Sequence, residues 1–191
     1  MSIRIATLKG SLMRPYPFFV RLLSLMSPGV HTEIWYNEWR FSASRDLIGQ
    51  DGAFIGCIGV WDFGPGFDVS RWHVVNVPVA DIDRAMEFID RALDARVRYG
   101  ISICECALPK SLSIEADVDC CRPETWDHVF CSQFALLFLC WCDHHDLLLV
   151  PKSSSFLLWS VNSRGCLPSR LQIITDMVFG RSDAGYDGVL A

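Results

Sequence analysis

The chain has 191 residues, 51% of them apolar and 20% charged, with a formal net charge of −5. That length supports one sizeable hydrophobic core, so a single domain over 1–191 is expected, and the composition lies far from that of chains that stay disordered. No basic block offsets the acidic balance, which excludes nucleic acid as the expected partner.

In chain order, Ile3 to Leu8 reads as an opening strand, and Pro17 to Met26 as a short helix with Phe18, Phe19, Leu22, Leu23 and Met26 at helical spacing. Pro28 and Gly29 stop it. From Val30 two β-rich runs flank the polar pair Asn37-Glu38, which predicts a hairpin with His31 at its entrance. Phe54 to Val60 is a further β-compatible run, and the loop DFGPGFD leads to a strand over Arg71 to Val79. Asp81 suits the N-cap of a helix running to about Arg98, with Ile82, Met86, Ile89, Leu93 and Val97 on one face and Gly100 as its stop. Cys104 to Thr125 has no period and reads mostly as loop. Phe130 to Cys142 is apolar all round, as in a helix buried on most of its circumference, and Pro168 to Phe179 is a helix opened by a Pro-Ser signal. Sheet first and helices second give an α+β class, an antiparallel sheet packed against helices.

The strongest apolar stretch, Val129 to Cys142, is broken by Ser132 and Gln133 and is shorter than the roughly 18 residues a membrane span needs, so no transmembrane segment is expected. The opening MSIRIATLKG carries charge where a secretory signal would be apolar. A cytoplasmic, reducing location is therefore expected, with the nine cysteines mostly free and mostly small core residues.

Cys131 differs from the other eight because it stands where a loop becomes a helix. There the macrodipole and unpaired N–H groups lower a thiol pKa, and the same N–H groups, that of Cys131 included, are placed to hold an oxyanion. The plain alternative is one more small core residue. His31 opens a strand after Pro28-Gly29, so its ring is fixed at the rim of the sheet, where a base is held to reach a thiol on another element. Its plain alternative is a half-exposed strand histidine. Cys140-Trp141-Cys142-Asp143-His144-His145 with Cys104-Glu105-Cys106 has zinc-ligand chemistry, but C-x-C is not the usual spacing and Cys140 falls in an apolar helix, so no metal is expected. Trp35, Trp39, Trp61 and Trp72 concentrate in the strand half, as core or as the lining of an apolar groove.

The run HTEIWYNEWRFSAS, the strand RWHVVNVPV, the helix ending VRYG and the segment VFCSQFALLFL together resemble the permuted NlpC/P60 papain-like superfamily. That superfamily includes the YiiX-like hydrolases, with lecithin:retinol acyltransferase-like enzymes as relatives. In its pattern a His heads a strand, in a motif like H-x-E or H-x-G, and a later Cys opens a helix, in a motif like F-C-S-E. Here these are His31-Thr32-Glu33 and Phe130-Cys131-Ser132-Gln133, and Tyr99-Gly100 and Pro168-Ser169 extend the likeness over roughly residues 3 to 180.

The resemblance implies a circularly permuted papain-like fold and a thiol hydrolase or acyltransferase. His31 is then the base and Cys131 the nucleophile acting on an amide, isopeptide or ester bond, without a cofactor. Peptides, cell-wall amides and lipid esters are the substrates it implies. Family members place a third polar group, often Glu, on the strand after the His, where this chain has Ser42. Glu33, two residues from His31 and so on the same strand face, is the other candidate. Because serine steers an imidazole less strongly than a carboxylate, a catalytically impaired interaction or assembly module is the alternative function.

Overall fold

A computed structural model of the chain describes residues 2–9, 29–44, 57–100, 122–126, 128–161, 163 and 166–180. The expected helix over Pro17 to Met26 and most of the expected loop from Cys104 lie outside the described residues. Among the described residues, seven strands make one sheet: β1 (Ile3–Lys9), β2 (Gly29–Tyr36), β3 (Trp39–Ser44), β4 (Cys57–Asp62), β5 (Trp72–Val77), β6 (Arg98–Tyr99) and β7 (His128–Val129). Their order across the sheet is β5-β1-β2-β3-β4-β6-β7, antiparallel except for the β6–β7 pair at one edge. With α1 (Ile82–Asp94), α2 (Cys131–His144), α3 (Lys152–Trp159) and α4 (Pro168–Phe179), the class is α+β, as expected.

The hairpin β2–β3 forms where the sequence places it. Tyr36 pairs with Trp39 across the turn, and Asn37 takes φ 51°, a left-handed conformation that asparagine tolerates better than most residues. Side chains then alternate between the two faces of the sheet. Ile3, Ile5, Ile34, Phe41, Ala43, Ile58 and Val77 point to one face and join the main core. There α2 lies against β2 and β3, and α4 lies against β1, β2 and β5.

Helix α2 has no polar face: every residue from Cys131 to Asp143 is buried. It packs on the sheet and also against each of the other helices, with Phe88 of α1 stacked against Phe134 and edge-on to Phe138. Burying one such phenylalanine contributes about 1.5–3 kcal/mol, which is what offsets the ordering of a helix this apolar. A polar tie joins α4 to the sheet, His73 Nε2 of β5 lying 2.7 Å from Asp176 Oδ1.

The structure departs from the expected elements in several places. Asp81 caps α1 as expected, its side chain accepting from the Arg84 amide at 3.0 Å, but the helix ends at Asp94 rather than near Arg98. Arg96 turns the chain with φ 50°, and Arg98–Tyr99 is a strand. Gly100 is therefore not a helix stop. It gives room at the parallel edge, where a Cβ would lie 2.8 Å from the His128 ring. The buried stripe of α1 is Ala85, Phe88, Ile89 and Ala92, rotated from the expected one because Phe88 is drawn into the aromatic contacts of α2. Helix α3 was not anticipated, since its apolar residues are few and it opens on three serines after Lys152. Among the described residues, no helix is long and apolar enough to cross a membrane.

Candidate active site

By the same alternation, His31, Glu33 and Trp35 of β2 lie on the sheet face opposite the helices. That face is covered by the loop after β4. Trp35, fully buried, meets Phe63, Phe67 and Trp72 with ring centroids 5.1, 5.4 and 5.3 Å away. Arg40, opposite Trp35 across the hairpin, lies over the Phe67 ring at 4.5 Å and donates from Nε to the Asp62 carbonyl at 3.1 Å. Its Nη1 is 3.3 Å from both carboxylate oxygens of Glu33.

Glu33 is thus gripped from several sides. Trp35 Nε1 donates to Oε2 at 2.8 Å, and Oε1 lies 3.4 Å from His31 Nε2. Burial pushes this carboxyl up, but the hydrogen bond and charge of His31, then Arg40 and Trp35, outweigh it and hold it below the usual carboxylate range. A buried carboxylate kept ionised against one imidazole nitrogen orients the ring and favours its protonated form. Trp72 meets the ring edge-on at 6.2 Å, leaving the His31 side chain 26% exposed.

Cys131 is the first residue of α2, and its N-cap, Phe130, has no side chain able to cap the helix. The amides of the first turn are thus open to another acceptor. The structure brings His31 and Cys131 together side chain to side chain, in hydrogen-bond contact. The main-chain N–H groups of Ser132 and Thr32 also donate to the sulfur. Burial by itself raises this thiol, yet the His31 charge, the His31 hydrogen bond and the two amides outweigh it, so its pKa is lowered. Burial likewise opposes charge on His31, but the thiolate and then Glu33 raise the ring to about 10. Both shifts act in the same sense, favouring thiolate and imidazolium over the neutral pair.

The other described cysteines show what this environment adds. All are free. Burial pushes the Cys166 thiol up to about 12, and Cys142 is raised by burial and by Asp143 beside it. Cys166 touches the site through its main chain, its carbonyl accepting from Ser132 Oγ at 2.5 Å and so fixing the residue after the thiol.

Of the two candidates for the third member, the structure brings Glu33 to the imidazole. Ser42 does not reach it: its hydroxyl, fully buried, donates to the Thr32 carbonyl at 2.7 Å. The helix-end constellation is occupied with other contacts, Asp143 accepting from Trp159 Nε1 at 2.7 Å and from Lys152 Nζ at 3.1 Å, while His145 packs on Trp141. Sequence reasoning missed Arg40 and Trp35 as the groups that hold Glu33. The signal for both was present, since a two-residue turn at Asn37-Glu38 puts position 40 opposite position 35, and 31, 33 and 35 share a face. The Thr32 amide had no such signal.

Glu33→Gln should therefore lower the pH at which His31 gives up its proton, because the removed charge is one of those raising it. An NMR titration of the imidazole checks this, and an unmoved titration would separate Glu33 from the ring. Compared with family models, with curated proteins and with solved structures, the chain matches none.

Proposed function

We propose that the chain is a thiol hydrolase or acyltransferase with a circularly permuted papain-like domain of NlpC/P60 type, cleaving an amide, isopeptide or ester bond through an acyl-enzyme on Cys131. The observation that carries this reading is a lowered thiol at a helix start, in hydrogen-bond contact with a histidine backed by a buried carboxylate. Three groups from two distant elements converge in the order nucleophile, base, orienting acid, which is the arrangement that thiol catalysis needs.

In the proposed reaction the Cys131 thiolate attacks the carbonyl carbon, and the oxyanion that develops is held by first-turn amides of α2, that of Cys131 included. Collapse of this intermediate expels the leaving amine or alcohol, which takes the proton from the His31 imidazolium. A thioester and a neutral imidazole remain. His31 then removes a proton from water or an acceptor as it attacks the thioester, the acyl product leaves, and thiolate and imidazolium are restored. Glu33 keeps the ring oriented through Nε2, which leaves Nδ1 to serve the sulfur. Peptides, cell-wall amides and lipid esters are the proposed substrates. The proposed setting is the cytoplasm, where glutathione keeps a low-pKa thiol reduced.

An activated ester such as p-nitrophenyl acetate tests the acyl-enzyme directly. The expected result is a burst of nitrophenol and an acetyl adduct on Cys131 that hydroxylamine removes. An adduct on another residue, or none, would overturn the reading in favour of a non-catalytic binding or assembly module that keeps the fold.

A further inference from the structure

The ladder between β2 and β3 is shorter than those on either side. Strand β1 follows β2 to Gly29 and β4 follows β3 to Ser44, yet β2 and β3 pair only from Tyr36↔Trp39 to Ile34↔Phe41. Antiparallel pairs alternate between hydrogen-bonded and non-bonded kinds, and the pair flanking a two-residue turn is of the bonded kind. Ile34↔Phe41 is then bonded as well, and continued register would bond Thr32 to Ala43. It does not. The Thr32 carbonyl accepts from Ser42 Oγ at 2.7 Å, the same hydroxyl lies 3.3 Å from the Ala43 carbonyl, and the Thr32 N–H is turned to the Cys131 sulfur.

This opening accounts for a geometry that alternation alone does not. Helix α2 lies on one face of the sheet while His31 points from the other. The sulfur is within hydrogen-bond reach of both the imidazole and the Thr32 amide, just past the point where the β2–β3 pairing stops. A buried strand amide without its ladder partner needs another acceptor, and a bond to an ionised sulfur is stronger than one to a neutral carbonyl.

We propose, resting on the reading of Cys131 as nucleophile, that the opened ladder belongs to the catalytic machinery. The Thr32 main-chain N–H is a donor that stabilises the thiolate, and Ser42 is the positioning residue whose hydroxyl holds β2 and β3 apart. Ser42 thus serves the site without touching the imidazole. The Thr32 side chain is not the donor, since its hydroxyl is fully buried and has no hydrogen-bond partner.

The test is the pH profile of Cys131 alkylation by iodoacetamide, with melting temperature followed in parallel, for the full chain and three variants. Replacing Thr32 by its α-hydroxy acid analogue through nonsense suppression removes the N–H while keeping the side chain, and leaves a weaker acceptor at the His31 carbonyl. It should lower the alkylation rate on the acid side about tenfold, equivalent to raising the thiol by about one pH unit. Ser42→Ala should move the profile the same way by about threefold as the strands close, a lesser effect because the N–H is redirected rather than deleted. Thr32→Val, which keeps the amide and drops the unpartnered hydroxyl, should leave the profile in place. A wild-type profile from the ester-linked protein, or a shift with Thr32→Val matching that of the ester, would overturn the inference while leaving the nucleophile standing. An ordinary thiol titration in the wild type itself would overturn both.

Discussion

His31→Ala should slow alkylation of Cys131 at pH 6 by about two orders of magnitude, because an ordinary thiol is well under 1% ionised there. The sign follows from the forces on the sulfur. Burial raises the thiol, and the charge and hydrogen bond of His31 are the largest influences opposing it, with the Thr32 and Ser132 amides behind them. Without the ring, the amides alone face the burial penalty. The deficit should shrink as the pH rises toward the thiol's own ionisation, and the wild-type change near pH 10, where the imidazolium of His31 loses its proton, should vanish from the variant. Identical profiles for the two proteins would show that the contact between ring and thiol has no electrostatic consequence.

The sequence made the local parts of this pair legible and left its surroundings hidden. Asn37-Glu38 between two β-rich runs, the loop-to-helix change at Cys131 and the proline at Pro168 are signals carried by a few adjacent residues, and β2, β3, α2 and α4 stand where those signals put them. The end of α1 was misread because Gly100 looks like a stop, whereas Arg96, with no such signal, turns the chain with φ 50°. Strands of two residues, Arg98–Tyr99 and His128–Val129, have no period to read. The position of Ser42 was evident but its bond to the Thr32 carbonyl was not, since it depends on where the β2–β3 pairing stops, which no run of adjacent residues shows. Glu33 was reachable by alternation, and the choice between it and Ser42 needed the Arg40 and Trp35 contacts that hold it at the ring.

If the proposed acyl-enzyme chemistry holds, Cys131→Ala should reduce turnover of an acyl substrate by at least about a thousandfold, since no acyl-enzyme can form without the sulfur. The loss of one buried sulfur should leave the melting temperature within a few degrees, because the side chain makes a small part of a helix buried along its whole length. A second, independent mark should accompany it. The thiolate is the largest of the influences that raise His31, so the imidazole should titrate at lower pH in the alanine variant, with Glu33 alone left to favour its charge. Proton NMR of the ring reads this directly. An unchanged titration with activity lost would mean that the two groups act in sequence rather than as an ion pair.

His31 and the groups that hold its carboxylate partner, Glu33, Trp35 and Arg40, lie within one hairpin, whereas the thiol arrives on a helix far along the chain. Closing a loop of that span carries a larger entropic cost than closing a two-residue turn, so during folding the hairpin is the cheap contact and the joining of thiol to ring the expensive one. On the proposed reading, the cysteine is an ordinary, weakly ionised thiol until that long-range docking is complete, because the groups that lower it come from β2 and from the docked start of α2. Reactivity is thereby withheld from nascent chains, whose exposed backbones and neighbouring thiols would be its first targets.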